Sequence, residues 1–317
     1  MQQVFDQLYS NGALLVLWGA LLFHLVVPIP ISSHPTVLWR AFAKILTDKV
    51  NVNNHYSQSL ISGSLSWMLM MIPALAVLVA LKPLVWQPQL FDLALLLLAI
   101  DWRNSEKLGH QLTDALAKQD KVLARRLLKP RLNRNTATLS ALGLGKAGAE
   151  TIILGYGRNV VCVVFWYGLT GGIGALLFRL MSELARAWSP SRSKFLPFGL
   201  PAARILAIFE FIPLCLFSLM IVVGKNMHKI VTLVGHQSKT WSSRGPALLL
   251  SALGNKLELS LGGPAIYNDK KTVRAKLGGR IAPSALHIGQ IQKLLAWRLY
   301  VWIVIQSIVM FLFYQGL

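Results

Sequence analysis

Much of what soluble enzymes use for chemistry is scarce in this chain. There are two cysteines, Cys162 and Cys215, and both stand inside apolar runs. No CxxC pair exists, so neither a disulfide framework nor a zinc site is indicated, and the pair reads as buried apolar side chains. The histidines, His24, His34, His55, His110, His228, His236 and His287, show no HxxxH or HExxH spacing, which removes the common zinc-hydrolase arrangement. His24, inside an apolar run, reads as a packing residue. Gly143, Gly145 and Gly148 match GxGxxG on paper, but no strand precedes them and no acidic residue follows at the right distance, so they read as packing glycines. A Walker motif is also absent, because Ser140 stands where its first glycine belongs and Ala147 where Ser or Thr should be. Residues 1–31 lack a basic leading region and a small-residue cleavage site, so the first apolar run is expected to stay as an anchor.

Acidic residues are few as well: 12 Asp and Glu face 32 Lys and Arg, a net charge of +20. Such an excess can serve nucleic acid, but here it collects in loops between apolar runs. Anionic lipid and the positive-inside bias explain that pattern more simply, and no nucleic-acid partner is expected. What the chain has in quantity is apolar length, with 54% hydrophobic residues and a mean hydropathy of +0.53. The predicted fold is all-α and polytopic, with about six transmembrane helices near 13–31, 60–81, 90–100, 160–178, 205–223 and 299–317. Run 90–100 is short enough to be tilted or re-entrant, and Asp92 within it is a charge at membrane depth. The large basic loops, 101–158 and 224–298, carry most of the Lys and Arg. That bias predicts a multi-pass inner-membrane protein with cytoplasmic basic loops and both termini periplasmic. Leu112, Leu116, Leu123 and Leu127 share a helical face, predicting one amphipathic helix that ends near Lys129-Pro130.

Several motifs stand in a recognisable order. Arg134-Asn135-Thr136-Ala137-Thr138-Leu139 is followed by Lys146-Ala147, Glu150-Thr151, Phe165-Trp166-Tyr167, Gly171-Gly172, Gly174-Ala175 and Phe178-Arg179-Leu180. Then come Phe198-Gly199, Ala202-Ala203-Arg204, Ile212-Pro213, Gly245-Pro246, Leu261-Gly262-Gly263-Pro264 with Tyr267, and Leu277-Gly278. Upstream stand His34-Pro35 and Ala99-Ile100-Asp101-Trp102-Arg103. Each is weak alone, but together and in this order they resemble the CobD/CbiB family across most of the chain.

That resemblance implies a membrane-bound adenosylcobinamide(-phosphate) synthase of cobalamin assembly. Such an enzyme joins a corrinoid carboxyl group to the amine of aminopropanol or its O-phosphate, using ATP and Mg2+, with other corrinoid-assembly enzymes as further partners beside the lipid bilayer. Carried onto this chain, it implies Glu150 and Glu210 as catalytic residues. It implies His34, Arg134, Thr136, Arg179, Arg204, Gly262, Gly263 and Tyr267 as substrate-binding residues, with no assignable metal ligand. The chain departs from the family pattern at several carboxylates. Leu154-Gly155-Tyr156-Gly157-Arg158 replaces Glu-Asn…Asp, Ser182-Glu183-Leu184-Ala185 replaces Asn-Thr-Leu-Asp, and Arg204-Ile205-Leu206-Ala207…Glu210 replaces Arg-Leu-Asp-Asp…Asn. Chemistry in this chain would then be rebuilt around Glu150, Glu183, Glu210 and Asp101. Two readings stay open, an amide-forming ligase and a non-catalytic inner-membrane protein resembling AmpE; the Gly245–Gly278 stretch resembles the synthase. A transporter is the third, and no inverted repeat supports it.

Overall fold

Chain that must hide its backbone from lipid becomes helix, because intra-segment hydrogen bonds then satisfy every amide. A computed structural model describes residues 12–26, 35–52, 55–267, 270–272 and 274–315. In it the apolar runs form α1 (Gly12–Val26), α3 (Tyr56–Leu81), α4 (Pro88–Ala99), α7 (Ala141–Tyr156), α8 (Cys162–Ala187), α9 (Leu200–Val222) and α12 (Ala285–Gln315). Between them lie α2 (Thr36–Val50), α5 (Trp102–Ala117), α6 (Lys121–Leu128), α10 (Met227–Ser238) and α11 (Arg244–Lys256). Four three-residue strands, β1 (Ser260–Gly262), β2 (Ala265–Tyr267), β3 (Lys270–Thr272) and β4 (Lys276–Gly278), make two antiparallel ladders, β1 with β4 and β2 with β3. The predicted helical, multi-span class holds.

The count of about six is not matched among the described residues. Among the described residues four segments are long and apolar enough to cross a membrane: Tyr56–Leu84, Ala141–Ala187, Leu200–Val222 and Ala285–Leu312. The run expected at 90–100 is α4, 12 residues, or about 18 Å of helix against a hydrocarbon core of about 30 Å. The run at 13–31 is represented by α1, 15 residues; positions 27–31 lie outside the described residues. The run at 299–317 is, as far as Gln315, the far part of α12, which begins at Ala285, inside the expected loop; positions 316–317 lie outside the described residues.

The run at 160–178 is not an independent span. A π-turn, Gly157–Val161, joins α7 to α8, and within α8 the chain doubles back. Arg179 Nη1 donates to Asn159 Oδ1, 20 residues away. Both residues also reach Asp101: its N–H donates to the Asn159 carbonyl at 3.2 Å, and Arg179 Nη2 donates to its Oδ2 at 3.3 Å. A straight helix would hold positions 20 residues apart at about 30 Å. The reversal sits at Gly171, φ 69° and ψ −163°, a conformation essentially restricted to glycine. The next glycine lets the returning arm pass α4, since a Cβ on Gly172 would stand 2.8 Å from Asp92 Cα. Asp92 Oδ1 accepts the Gly172 N–H at 3.1 Å and so caps that arm's N-terminus.

The basic loops are folded too. In place of one amphipathic helix, α5 and α6 are separated at Gln119, φ 56°, and Asp120 Oδ1 caps α6 through the Leu123 N–H at 2.9 Å. Leu112, on α5, is buried, whereas Leu123, on α6, is 40% exposed, so the expected common face is broken. The second loop supplies α10, α11 and the strands. They are tied by Gln237, whose Oε1 accepts the N–H of Gly278 at 2.8 Å and the hydroxyl of Ser251 at 2.6 Å. Of the GxGxxG glycines, all in α7, Gly145 and Gly148 are packing positions, a Cβ on them standing 2.1 Å from the Pro283 carbonyl oxygen and from Leu112 Cδ2, whereas Gly143 has room for one.

Candidate functional site

Where α4 hands over to α5, the π-turn, the returning arm of α8, α7, α9 and α2 enclose a cavity of about 580 Å³. That lies within the range of about 300–1,000 Å³ usual for small-molecule sites. Asp101, Glu150, Glu183 and Glu210, the four carboxylates singled out in sequence, all line it.

Each is held differently. Glu150, on α7 and 7% exposed, accepts the backbone N–H of Gly262 at Oε1, 2.8 Å. Its Oε2 stands between Arg134 Nη2 at 3.5 Å and Arg274 Nη2 at 3.4 Å. Glu210, on α9 and 1% exposed, takes a two-point fork from Arg158, Nε to Oε2 at 2.6 Å and Nη2 to Oε1 at 3.0 Å. The Ser243 hydroxyl adds a third bond at 3.2 Å. Glu183 lies 3.0 Å from both Arg40 Nε and Arg179 Nη2. Asp101 accepts from Arg179 and from Asn104 Nδ2, the latter at 2.7 Å.

Arg131 and Arg186 complete the lining cations. They donate to backbone carbonyls, Arg131 to Leu127 at 3.4 Å and Arg186 to Pro130 at 2.7 Å. Burial draws the Arg131 guanidinium below its usual range, opposed in part by Asp101. Seven guanidinium groups thus face four carboxylates, a formal excess of three positive charges. Such an excess suits anionic ligands, and guanidinium forks match phosphate and carboxylate oxygens. A protein-held divalent cation is a different matter. Magnesium asks for several free carboxylate oxygens, but each cavity carboxylate is ion-paired to a guanidinium, and only Glu183 Oε2 is a buried carboxylate oxygen without a hydrogen bond among the described residues. Among the described residues no group of three or more His, Cys, Asp or Glu is placed to hold a metal. The donor set fits nucleotide phosphates and does not fit a magnesium ion bound by the protein itself.

Of the other residues expected to bind substrate, Arg134 and Arg179 line the cavity, and Gly262 touches it through Glu150. Gly263 stands at the ladder's end, its N–H donating to the Ala275 carbonyl at 3.1 Å and its own carbonyl accepting from Arg274 Nε at 3.4 Å. Tyr267 pairs with Lys270 in the outer ladder; its side chain lies outside the described residues, as does His34. Thr136 is buried away from the lining, and Arg204 is exposed on α9 and also outside it. Sequence reasoning missed His24, Arg40, Arg158 and Arg274. For Arg158 a signal existed, a charge set between apolar runs; Arg40 and Arg274 looked like any other loop cation.

Comparison with known proteins places the molecule. The family model described as CobD/Cbib protein matches residues 17–296. The cobalamin biosynthesis protein CobD of Stutzerimonas stutzeri is 28% identical over 292 residues, 90% of this chain and 94% of that relative. The protein of the same name from Chromobacterium violaceum is 27% identical over 237 residues, 75% and 72% of the two chains. That from Mycobacterium tuberculosis is 24% identical over 190 residues, 58% and 61%. No solved structure matches. With the family model spanning most of the sequence, the chain belongs to the CobD/CbiB family.

Proposed function

We propose that this protein acts in cobalamin biosynthesis as an amide-forming ligase, joining a corrinoid carboxyl group to the amine of aminopropanol or of its O-phosphate. The observation that carries the reading is the single cavity that gathers Asp101, Glu150, Glu183 and Glu210 among seven arginines. The corrinoid acid, the nucleotide and the O-phosphate form of the amine carry anionic groups, and the formal charge excess favours their entry. When bound, ATP supplies the phosphoryl group that turns a carboxylate into an acyl donor; Arg131, Arg186 and Arg40 are the residues placed to hold its phosphates. The charge bias of the loops sets this mouth toward the cytoplasm of a bacterial inner membrane, with both termini periplasmic.

Amide formation also needs the amine stripped of a proton. Glu150 suits that role better than Glu210. Its Oε2 contacts to Arg134 and Arg274 are long, 3.5 and 3.4 Å, so little is lost when a substrate ammonium takes their place. Glu210 is held by the short fork of Arg158 and serves to position the π-turn on which Arg158 and Asn159 stand. The reading of a non-catalytic, AmpE-like accessory protein draws on one observation, that every cavity carboxylate is already ion-paired. Complementation separates the two. A bacterium lacking its own synthase, supplied with cobyric acid and aminopropanol, should regain cobalamin-dependent growth with this chain and lose it with Glu150→Gln. No growth with the protein confirmed in the membrane overturns the ligase reading.

A further inference from the structure

His24 ends α1 and faces the cavity, 5% exposed. Its Nε2 accepts the N–H of Arg103 at 3.2 Å, one of the first-turn amides of α5 that have no acceptor within their own helix. With Nε2 occupied as an acceptor, the neutral ring carries its proton on Nδ1. That Nδ1 is buried and has no hydrogen-bond partner. Arg179, also 5% exposed, repeats the pattern. Its Nη atoms serve Asn159, Asp101 and Glu183, yet its Nε has no acceptor. Folded proteins seldom leave buried donors unmet; these two line one cavity, and the third such donor there, Arg40 Nε, differs in having Glu183 Oε2 beside it at 3.0 Å. Both give protons and neither can accept one, so the missing partner is an oxygen rather than an ammonium group. Leu97, Ile100 and Leu108 line the same cavity, which suits the arm of a large, partly apolar acid better than a fully hydrated phosphate.

We propose that His24 is a substrate-binding residue, its Nδ1–H and the Nε–H of Arg179 holding the carboxylate of the corrinoid acid before the amide forms. The identity of that ligand rests on the ligase reading above. Two donors fixed by their other bonds, Nε2 to Arg103 and the Nη pair to Asp101, Asn159 and Glu183, meet the oxygen without reorganising, and a neutral imidazole polarises the acyl group without adding charge.

The two ring nitrogens make this testable, because asparagine places its amide near the position of Nδ1 and glutamine near that of Nε2. The full chain in lipid nanodiscs is titrated with cobyric acid, which bears the free carboxylate, and with cobinamide, in which that group is an amide. Binding is read from the corrinoid's visible absorbance. His24→Asn retains cobyric acid binding, whereas His24→Gln weakens it by roughly tenfold or more and leaves cobinamide binding unchanged. The opposite order, glutamine like the wild type and asparagine weakened, would mean that His24 only caps α5, and it overturns the proposal. Equal binding by all three proteins overturns it too, while leaving the corrinoid reading intact. A wild-type protein that binds no cobyric acid removes both.

Discussion

Replacing Gly171 with alanine tests the reversal in α8 with little steric confusion. A Cβ at that position meets nothing nearer than Asp92 Oδ2 at 3.6 Å, an ordinary contact, so the cost is conformational. Holding a residue with a side chain at φ 69°, ψ −163° costs about 1–3 kcal/mol. Alanine also favours uninterrupted helix over glycine by about 1 kcal/mol, which pulls toward a straight α8. The two terms act together, for a loss of about 2–4 kcal/mol. Straightening would also take the Gly172 N–H from Asp92 and Arg179 from Asp101. Two measurements read this. Thermal unfolding in detergent micelles should show a lowered midpoint for Gly171→Ala. In a background free of Cys162 and Cys215, cysteines introduced at Asn159 and Arg179 should join through a short bifunctional reagent, and Gly171→Ala should suppress that product. An unchanged midpoint together with undiminished cross-linking would refute the hairpin argument, as would no cross-linking in the parent.

Other changes have directions fixed by the same structure. Arg158→Met leaves Glu210, 1% exposed, without its partner and should cost about 3–5 kcal/mol. Glu210→Leu leaves Arg158, whose side chain is 31% exposed, and should cost less. The double replacement should recover most of the loss, and a double-mutant cycle on unfolding midpoints checks the order. Within α7, Gly143→Ala meets only Leu139 and Ser140 side-chain atoms at 3.3 Å or more and should hold or raise the midpoint. Gly145→Ala, driven into the Pro283 carbonyl at 2.1 Å, should lower it, by about 1–3 kcal/mol if the backbone yields.

The sequence shows some layers of this molecule and hides others for physical reasons. Helical class, membrane length and the packing role of Gly145 follow from local composition, and local composition decides them. Direction does not. Residues 160–178 are equally apolar whether the helix passes through or turns back, and the single atom set that decides it is the missing side chain at Gly171. Gln119 breaks the amphipathic face between Leu112 and Leu123 with a left-handed backbone that no turn motif announces. At the site, Asp101, Glu150, Glu183 and Glu210 are legible because they are the carboxylates that stand in or beside the motifs resembling the family, in a chain with few others. Their partners are not, since Arg40, Arg158 and Arg274 reach them from separate elements and carry no distinguishing neighbours. In sequence His24 reads as packing, and half of it is: Nε2 caps a helix while Nδ1 is buried without a partner beside the cavity.

Glu150 receives its shortest bond from the backbone of Gly262 rather than from a side chain. A donor of that kind survives every substitution except proline, so an alanine scan of the cavity's side chains would pass over it and credit the whole anchoring of Glu150 to Arg134 and Arg274. Short of proline, it is reached only through geometry. Gly262 sits at φ 66°, and a Cβ there would stand 2.6 Å from the Ala275 carbonyl, so any replacement shifts the β1–β4 ladder and the amide with it. The contact therefore depends on the shape of a turn, and a mutational map of the protein would record glycine intolerance at a position that holds no functional side chain.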